Sequence, residues 1–542
     1  MYNRITCRLL HILIKILYLI LIIFFLLINL FFKGVKLTMT RNINIETLTE
    51  KINGTLHGNK NYKSQEGFTG TFTTLNDAVE GDIVIRHWIN GKGVEIANNK
   101  NIACIITLHP KEDCLEVAEK LKYPVIVVEK IEVANAYAIE WTVKNICPNT
   151  KRVVVSGTNG KSTTSHMTYH ILKNTGAKVF TNTDARSEFN TLIDPMVPKL
   201  MVENYKQQKG LDYLVVEVSE VQGWEDYFME GHAMMMSKAM NPDVAVVTNV
   251  AMDHIGLVNN IEEVKSETEG LVKALNHGTA ILNYDDPRVK EMDKVVSQNC
   301  NITYLSMDPE TLTNIEKSEK IDKLSYSDDL EAIIYDDEIF LKLEELPFQS
   351  HHFIQNTLSA IASTLALNIP LNLIKDGVRN YHPLKRRFVT LYEKPLIIDD
   401  FAHNPDGIKA TVQSAFQAAY KKNLKTLWVI DAIRGSRGEV LNKLIAEALS
   451  DVVRNLQEED TVPINLILSC SEDVVDHLNT VTDDERKVFL NVLDNDNVDY
   501  VVYDKLNDAL TDTVEFSSQE DLILLIGAQG MDPAEGLLKN II

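Results

Sequence analysis

Cysteine and basic residues are the two scarce features of this 542-residue sequence, and each scarcity excludes a class of protein. The six cysteines stand at positions 7, 104, 114, 147, 300 and 470, and no two of them form a C-x-x-C pair. This spacing argues against structural disulfides and zinc sites and favours the reducing cytoplasm. Lysine and arginine number 54 against 76 acidic residues, so the net charge is −22. We therefore expect no nucleic-acid partner, because such a partner requires a basic surface.

Long apolar runs are missing as well, with one exception near the N terminus. Residues 16–32 are nearly all Leu, Ile and Phe, and basic residues flank them on both sides. The length suits a helix that crosses a bilayer, but the symmetric flanks choose no orientation and no signal-type cleavage site follows. Two interpretations of residues 1–38 stay open. They form a membrane anchor with the remaining chain on the cytoplasmic side, or translation starts at Met39 and the protein is cytoplasmic.

The chain after residue 39 contains no long linker, internal repeat or low-complexity tract, and 45% of the whole sequence is apolar. Short β-branched strands alternate with helical segments, which is typical of an α/β fold with mainly parallel sheets. We predict three domains: a small N-terminal α/β domain at 39–149, a central domain at 150–383, and a second, Rossmann-like α/β unit at 384–542.

A glycine turn between a strand and a helix predicts a phosphate site in the central domain. Val153–Val155 is a buried strand by its composition, and residues 157–160 turn the chain before a helix begins. Backbone N–H groups and the helix dipole at such a turn bind phosphate oxygens. The loop residues are Gly157, Thr158, Asn159, Gly160, Lys161, Ser162 and Thr163. In this pattern Lys161 reaches the terminal phosphates and the Ser162 hydroxyl binds Mg²⁺, although the usual early glycine is Val155 here.

Polar residues follow other strands of the same predicted sheet. Glu217 ends an apolar strand, and Asp253 and His254 come after Val244–Thr248. In open α/β sheets the ligand crevice lies at the carboxyl ends of the strands, where a carboxylate can hold Mg²⁺. Glu217 alone is equally well explained as a helix cap or an ion-pair partner, and an isolated histidine as an ordinary loop residue.

The junction between the second and third domains carries a basic cluster. Arg387 lies in this cluster, and a guanidinium group at a junction of two nucleotide-facing domains is suited to phosphate. A solvated basic face is the plainer alternative. Asp400 and His403 follow the first strand of the last domain and are candidates to face the same crevice, His403 at an acceptor or amino-acid site.

Taken together, these motifs resemble the Mur ligase family of ATP-dependent amide-forming ligases. Six motifs occur in the family's order: Gly157–Thr163 for the phosphate loop, Glu217 for the strand-end glutamate, Thr248–His254 for Thr-Asn-x-x-x-Asp-His, His352–Asn356 for His-Asn-x-x-Asn, Arg387-Phe388 for Gly-Arg-Phe-Glu, and Asp400–Asp406 for Asp-Tyr-Ala-His-Asn-Pro-Asp. The resemblance implies a three-domain fold with a UDP-binding N-terminal domain and a central ATP-binding domain. It also implies that Asn356 contacts adenine, Asp400 the ribose, and Ser162, Glu217 and His254 the magnesium ions.

Several departures from the family pattern indicate which branch of the family the sequence resembles. Arg386 replaces the hinge glycine, and Glu269 stands where the family carries a carbamylated lysine. Either the Glu269 carboxylate or Lys265 is then expected to take that role. The late Gly-Lys-Gly segment reads Gly-Ala-Gln-Gly at 527–530. These differences resemble the divergent archaeal ligases of pseudomurein peptides, whereas the N-terminal domain resembles that of tripeptide-type Mur ligases.

The resemblance implies a monomeric enzyme that uses ATP and Mg²⁺ to couple a free amino acid to a UDP-linked peptide, with Lys161, Glu217 and His254 as its catalytic residues. Three alternatives stay open. In the first, the same ligation takes place on a folate, cyanophycin or a tetrapyrrole precursor. In the second, the protein is a P-loop ATPase that joins no substrates. In the third, it is a catalytically silent membrane scaffold. The intact Lys161 argues against the last of these.

Overall fold

Three β-sheets, each with helices packed on both faces, are the framework of the computed structural model of this protein. The structure describes residues 43–58, 71–183, 191–224, 227–252, 257–347, 350–459, 461–477 and 479–542. A further small hairpin pairs two short strands in the middle of the chain. The α/β class predicted from the sequence is confirmed.

The first sheet is five-stranded, with the order β1-β5-β4-β3-β2, and only β1 runs antiparallel to its neighbour. Its strands are β1 Thr55–His57, β2 Phe72–Thr73, β3 Ile83–Ile89, β4 Cys104–Pro110 and β5 Val125–Val127. The helices of this part are α1 Ile45–Lys51, α2 Gly91–Asn99, α3 Cys114–Leu121 and α4 Ile131–Asn145. Asn44 and Asn90 cap α1 and α2 by accepting hydrogen bonds from backbone N–H groups of the first turn.

The second sheet is nine-stranded and contains the phosphate loop. Its order is β16-β15-β14-β13-β12-β11-β6-β8-β7, parallel except for the β14–β15–β16 edge. The strands in this part, with the hairpin β9–β10, are β6 Lys151–Ser156, β7 Val179–Thr181, β8 Tyr213–Glu217, β9 Gly223–Trp224, β10 Tyr227–Phe228, β11 Val244–Val247, β12 Gly278–Asn283, β13 Cys300–Ser306, β14 Ile321–Ser327, β15 Ala332–Tyr335 and β16 Glu338–Lys342.

Seven α-helices accompany the second sheet in the described ranges. They are α5 Lys161–Asn174, α6 Met196–Gln208, α7 His232–Met240, α8 Ile261–Ala274, α9 Pro287–Lys290, α10 His351–Ala366 and α11 Leu371–Arg379. The central strands β6, β8 and β11 contain apolar runs at 153–155, 214–216 and 244–247, because both faces of the sheet are buried there. The carboxyl ends of these neighbouring parallel strands meet at one edge, which places the ends of β6 and β8 together.

The third sheet is six-stranded, with the order β17-β18-β22-β19-β20-β21, and only β17 is antiparallel. Its strands are β17 Val389–Glu393, β18 Leu396–Asp400, β19 Leu427–Ala432, β20 Ile464–Ser469, β21 Tyr500–Tyr503 and β22 Leu522–Ile526. Its helices are α12 Pro405–Lys421, α13 Glu439–Gln457, α14 Asp483–Asn495, α15 Leu506–Phe516 and α16 Ala534–Ile541. The carboxyl end of β18 faces the second sheet and brings Asp400 to the site described below.

A buried ion pair joins the first sheet to the second. Lys199 on α6 lies 2.8 Å from a carboxylate oxygen of Asp82, which directly precedes β3. The two side chains are 11% and 1% exposed, so water does not screen the pair. The contact fixes α6 against the first sheet.

No helix in the described ranges is long and apolar enough to span a bilayer. The apolar segment at residues 16–32, which the sequence marks as a possible anchor, lies outside the described residues. The membrane anchor therefore stays a prediction.

Candidate active site

The glycine turn after β6 has the backbone conformation that the sequence predicts. Gly157 and Gly160 have φ angles of +123° and +85°, a backbone conformation that is strained for any residue with a Cβ atom. A Cβ on Gly157 would lie 2.2 Å from the Thr248 hydroxyl, and one on Gly160 would lie 2.2 Å from Asn356 Oδ1. Both positions therefore require glycine for conformation and for space. Helix α5 begins directly afterwards, at Lys161.

The turn is held to the loop that follows β11. The Asn159 N–H donates to Asn249 Oδ1 at 2.8 Å, and the Asn249 amide donates back to the Asn159 carbonyl at 2.9 Å. Thr158 accepts a hydrogen bond from the Ala251 N–H at 2.9 Å. The Thr-Asn segment at 248–249 thus supports the phosphate loop directly.

Lys161 points back into its own turn. Its ammonium donates to the carbonyl oxygens of Gly157 and Thr158 at 2.7 and 3.0 Å and to Glu220 Oε2 at 2.8 Å. The Glu220 side chain is fully buried and that of Lys161 is 16% exposed. Sequence reasoning missed Glu220; its position three residues after the strand-end Glu217 was the available signal.

Ser162 and Glu217 form a second polar pair beside the first. The Ser162 hydroxyl donates to Glu217 Oε2 at 2.9 Å, and Glu217 is 2% exposed. Two hydrogen bonds with the Asn182 side chain, at 2.9 and 3.0 Å, fix the Glu217 backbone. A hydroxyl and a carboxylate at this separation are oxygen donors of the kind that Mg²⁺ accepts together with substrate phosphates. The pair therefore fits a magnesium ion.

A cavity of about 300 Å³ lies between the second and third sheets, next to the turn. Asn159, Gly160 and Thr163 line it from the phosphate loop, and Asn356 lines it from α10. The third sheet and its approach contribute Arg387, Asp400 and His403 among the lining residues. The cavity is thus lined by seven of the fifteen predicted site residues, which come from segments more than two hundred positions apart in the chain.

Arg387 crosses from the third sheet to the phosphate loop. Its guanidinium donates to the Ser162 hydroxyl at 3.3 Å, while its buried Nε has no hydrogen-bond partner among the described residues. Burial lowers the pKa of Arg387, and Asp400 and Glu217 oppose that effect. A buried guanidinium with an unused donor beside a phosphate turn is suited to binding an anionic ligand.

Arg386 explains how the chain manages without the hinge glycine. Its φ is +57°, the left-handed conformation that glycine favours. The guanidinium donates to Asp399 Oδ1 at 3.2 Å, to the carbonyls of Gly527 and Ala528 at 2.6 and 2.9 Å, and to Asp532. The side chain is therefore fixed at the carboxyl end of the third sheet, and these bonds hold the unusual backbone conformation.

Further contacts bridge the two sheets around the cavity. The Asn404 amide, which follows β18, donates to Asn159 Oδ1 at 2.8 Å. His352 on α10 is hydrogen-bonded to the Ser414 hydroxyl on α12 at 3.2 Å. Burial lowers the pKa of His352, which favours the neutral ring despite the nearby Asp400 carboxylate. Asn404 also caps α12, because its Oδ1 accepts a hydrogen bond from the Gly407 N–H at 2.8 Å. The same side chain therefore joins the start of α12 to the phosphate loop.

The remaining predicted residues fall into three groups. Asp400 accepts hydrogen bonds from the Ala402 N–H and the Thr411 hydroxyl at 2.9 and 3.1 Å, and His403 contacts the Phe401 carbonyl at 2.7 Å; both line the cavity. His254 lies outside the described residues. Glu269 and Lys265, both on α8, are not among the residues that line the cavity.

The two α8 candidates are already engaged in ion pairs. Glu269 lies 2.6 Å from Lys273, and Lys265 is paired with Glu291. The hydrogen bond to Glu291 raises the pKa of Lys265 and keeps it protonated, which works against carbamylation because that reaction needs a neutral amine. No cluster of three His, Cys, Asp or Glu side chains arranged for a metal occurs in the described part of the chain.

The fold and the site define a P-loop nucleotide-binding protein with a cavity between two α/β units. Family models identify the family. Residues 155–364 match the Mur ligase middle domain, and residues 386–529 match the Mur ligase, glutamate ligase domain. Together the two models cover well over half of the sequence, and the chain belongs to the Mur ligase family.

Individual relatives are distant. UDP-N-acetylmuramate--L-alanine ligase from Syntrophomonas wolfei is 28% identical over 305 residues, which cover 55% of this chain and 58% of that relative. The chain thus matches little more than half the length of this curated relative. The name of that relative differs from the tripeptide-type assignment, which stays a prediction.

Solved structures share the fold. MurF from Acinetobacter baumannii has a TM-score of 0.64 at 18% identity and covers 92% of this chain and 98% of its own. A pseudomurein peptide ligase type C from Methanothermus fervidus has a TM-score of 0.53 at 19% identity, covering 85% and 95% respectively. These likenesses confirm the predicted three-domain Mur ligase architecture.

Proposed function

We propose that this protein is an ATP-dependent ligase that joins an amino acid to a carboxylate of a UDP-linked cell-wall precursor. The observation that carries the proposal is the cavity between the second and third sheets, lined by the phosphate loop on one side and by Arg387 and Asp400 on the other. The family membership and the names of the relatives supply the reaction class.

In the proposed first step, an oxygen of the acceptor carboxylate attacks the γ-phosphorus of ATP, and the bond to the β-phosphate oxygen breaks to release ADP. The amine of the amino acid then attacks the acyl carbon, inorganic phosphate leaves, and the amine loses a proton. When bound, Mg²⁺ would neutralise phosphate charge. Ser162 and Glu217 would hold it, and by resemblance to the family His254 would hold it as well.

The chain's own residues have defined parts in this scheme. The N–H groups of 157–163 and the Lys161 ammonium bind the phosphates, and Arg387 stabilises the charge that spreads over the transferred group. Asn356 and Asp400 orient the base and the ribose. The contacts across the cavity keep water away from the acyl phosphate, which would otherwise be hydrolysed. Glu269 is the better candidate than Lys265 for the role of the carbamate, because it is a carboxylate already.

The more specific proposal is that the acceptor is of the pseudomurein type and that the enzyme acts on it as a monomer in the cytoplasm. The departures at Arg386, Glu269 and 527–530 support a pseudomurein-type acceptor. The five-stranded N-terminal sheet supports a UDP-linked one, because we assign the binding of the UDP moiety to the proposed domain 39–149, which contains this sheet. The proposed boundaries of the other two domains are 150–383 and 384–542.

A screen of the common amino acids for phosphate release from ATP, with a UDP-linked acceptor present, tests the proposal. We expect release that depends on both the acceptor and one amino acid, and we expect Lys161→Ala to abolish it. Phosphate release without any amino acid would instead indicate a P-loop ATPase. Release that a UDP-free acceptor supports equally well would move the substrate to another class.

A further inference from the structure

The Lys161 ammonium has no hydrogen left for a ligand in this structure. An ammonium group has three donors. The carbonyls of Gly157 and Thr158 and the Glu220 carboxylate accept all three, at distances of 2.7 to 3.0 Å. A phosphate oxygen can therefore bind this lysine only if at least one of these bonds breaks.

The last residue of β8 and the loop that follows this strand carry two carboxylates, and each is directed to a different residue of the phosphate loop. Glu217 accepts from Ser162, whereas Glu220 accepts from Lys161. The proposed chemistry uses Glu217 as a metal ligand, but it leaves Glu220 without a part. Glu220 is fully buried, and a buried carboxylate attracts an ammonium more strongly than an exposed one does.

We propose that Glu220 is a positioning residue that holds the Lys161 ammonium inside its own loop until the phosphates of a nucleoside triphosphate displace it. The inference rests on the proposed function, because it assumes that ATP is the ligand of the loop. The four-carbon stem of lysine is flexible enough to move between the two anions without a change in the backbone. The carboxylate and the phosphates then compete for one cation.

Such competition lowers the apparent affinity for ATP. The observed dissociation constant is the intrinsic one divided by the fraction of molecules whose lysine is released. If the released state is populated to about 10% or less, removal of the carboxylate charge tightens ATP binding about tenfold or more. Adenosine lacks phosphates, so its affinity should not change.

The test is a double-mutant cycle on the full chain, with ATP and magnesium binding measured by calorimetry. The variants are Glu220→Gln, which keeps the shape and a weaker acceptor, Lys161→Met, which keeps the stem without the charge, and the double variant. We expect Glu220→Gln to tighten ATP binding about tenfold in the presence of Lys161 and to have less than about a twofold effect in the Lys161→Met background.

Three outcomes would overturn the inference. An equal gain in both backgrounds would mean that Glu220 only repels the phosphates. Weaker ATP binding in Glu220→Gln would mean that Glu220 supports the bound state, and an unchanged affinity would mean that the lysine is not restrained. If Lys161→Met does not fold, the comparison of ATP with adenosine in Glu220→Gln decides, because a loosened site would alter both. Absence of ATP binding by the wild-type protein would instead refute the proposed function.

Discussion

Substitution of Asp431 by asparagine should stabilise the third sheet at pH 8 and do much less at pH 5. Asp431 lies near the carboxyl end of β19 and is 2% exposed. Its Oδ2 has no hydrogen-bond partner among the described residues. Burial alone raises the pKa of this carboxyl group to about 7. At neutral pH the folded protein therefore holds a charge that water would solvate far better.

The size of the effect follows from the pKa. An acid whose pKa rises from 3.8 in the unfolded chain to about 7 in the folded one loses about 4 kcal/mol of stability between those pH values. The favourable contribution is complete below pH 3.8 and disappears as the pH rises through about 7, because the folded state binds the proton more tightly. Between pH 5 and pH 8 the wild-type protein should lose roughly 3 kcal/mol at this site.

Hydrogen exchange on peptides that span β19 is the suitable assay, since a three-domain chain need not unfold in one step. The difference in opening free energy between Asp431→Asn and wild type should be about 3 kcal/mol larger at pH 8 than at pH 5, whatever the buried amide itself costs. Asp499→Asn, at an exposed position before β21, is the matched control and should show no such difference. An equal difference at both pH values would refute the reasoning.

Two further predictions concern the phosphate loop and the hinge. Gly160→Ala should abolish measurable ATP binding, because its Cβ would lie 2.2 Å from Asn356 Oδ1. Gly176 is the matched control, since its φ is nearly the same, +86°, and a Cβ there would have no atom within 4 Å. Gly176→Ala should therefore lower the unfolding free energy only by the backbone strain of about 1–2 kcal/mol and keep the affinity for ATP. Equal ATP affinities in the two variants would contradict the steric argument. Arg386→Gly should lower the unfolding free energy by about 3–5 kcal/mol, since it leaves Asp399 buried without its cation, and it should weaken ATP binding by displacing Arg387. Thermal unfolding and calorimetry check both effects, and a loss of stability with unchanged ATP affinity would show that Arg386 does not position Arg387.

The sequence predicted the parts of the site that depend on local order. The strand, turn and helix at 151–174 follow from a β-branched run, two glycines and a helix start, all of which are neighbours in the chain. Asp400 was also predictable as a lining residue, because it ends a strand and such ends form the crevice.

Contacts that join distant segments could not be predicted in the same way. The Lys161–Glu220 ion pair depends on the rotamer of a flexible lysine. The position of Glu220 after Glu217 marks it as a residue near the site, but the sequence does not show whether Lys161 points to this carboxylate or to a phosphate. The Arg386 contacts depend on the turn at 527–532, more than a hundred residues away. Lys265 is the predicted alternative to Glu269 for the role of the carbamate, but its ion-pair partner Glu291 lies on a later segment, which the local pattern does not show.

The ion pair between Lys199 and Asp82 has a consequence for how this protein can be divided. Lys199 lies on helix α6, Asp82 directly precedes strand β3 of the first sheet, and both side chains are shielded from water. A fragment that begins after the first sheet would keep the Lys199 ammonium without its carboxylate partner. The same fragment would expose to solvent the apolar face of α6 that the first sheet covers. The N-terminal portion is thus part of what makes the nucleotide-facing portion stable, and the two should be inherited, expressed and redesigned as one unit.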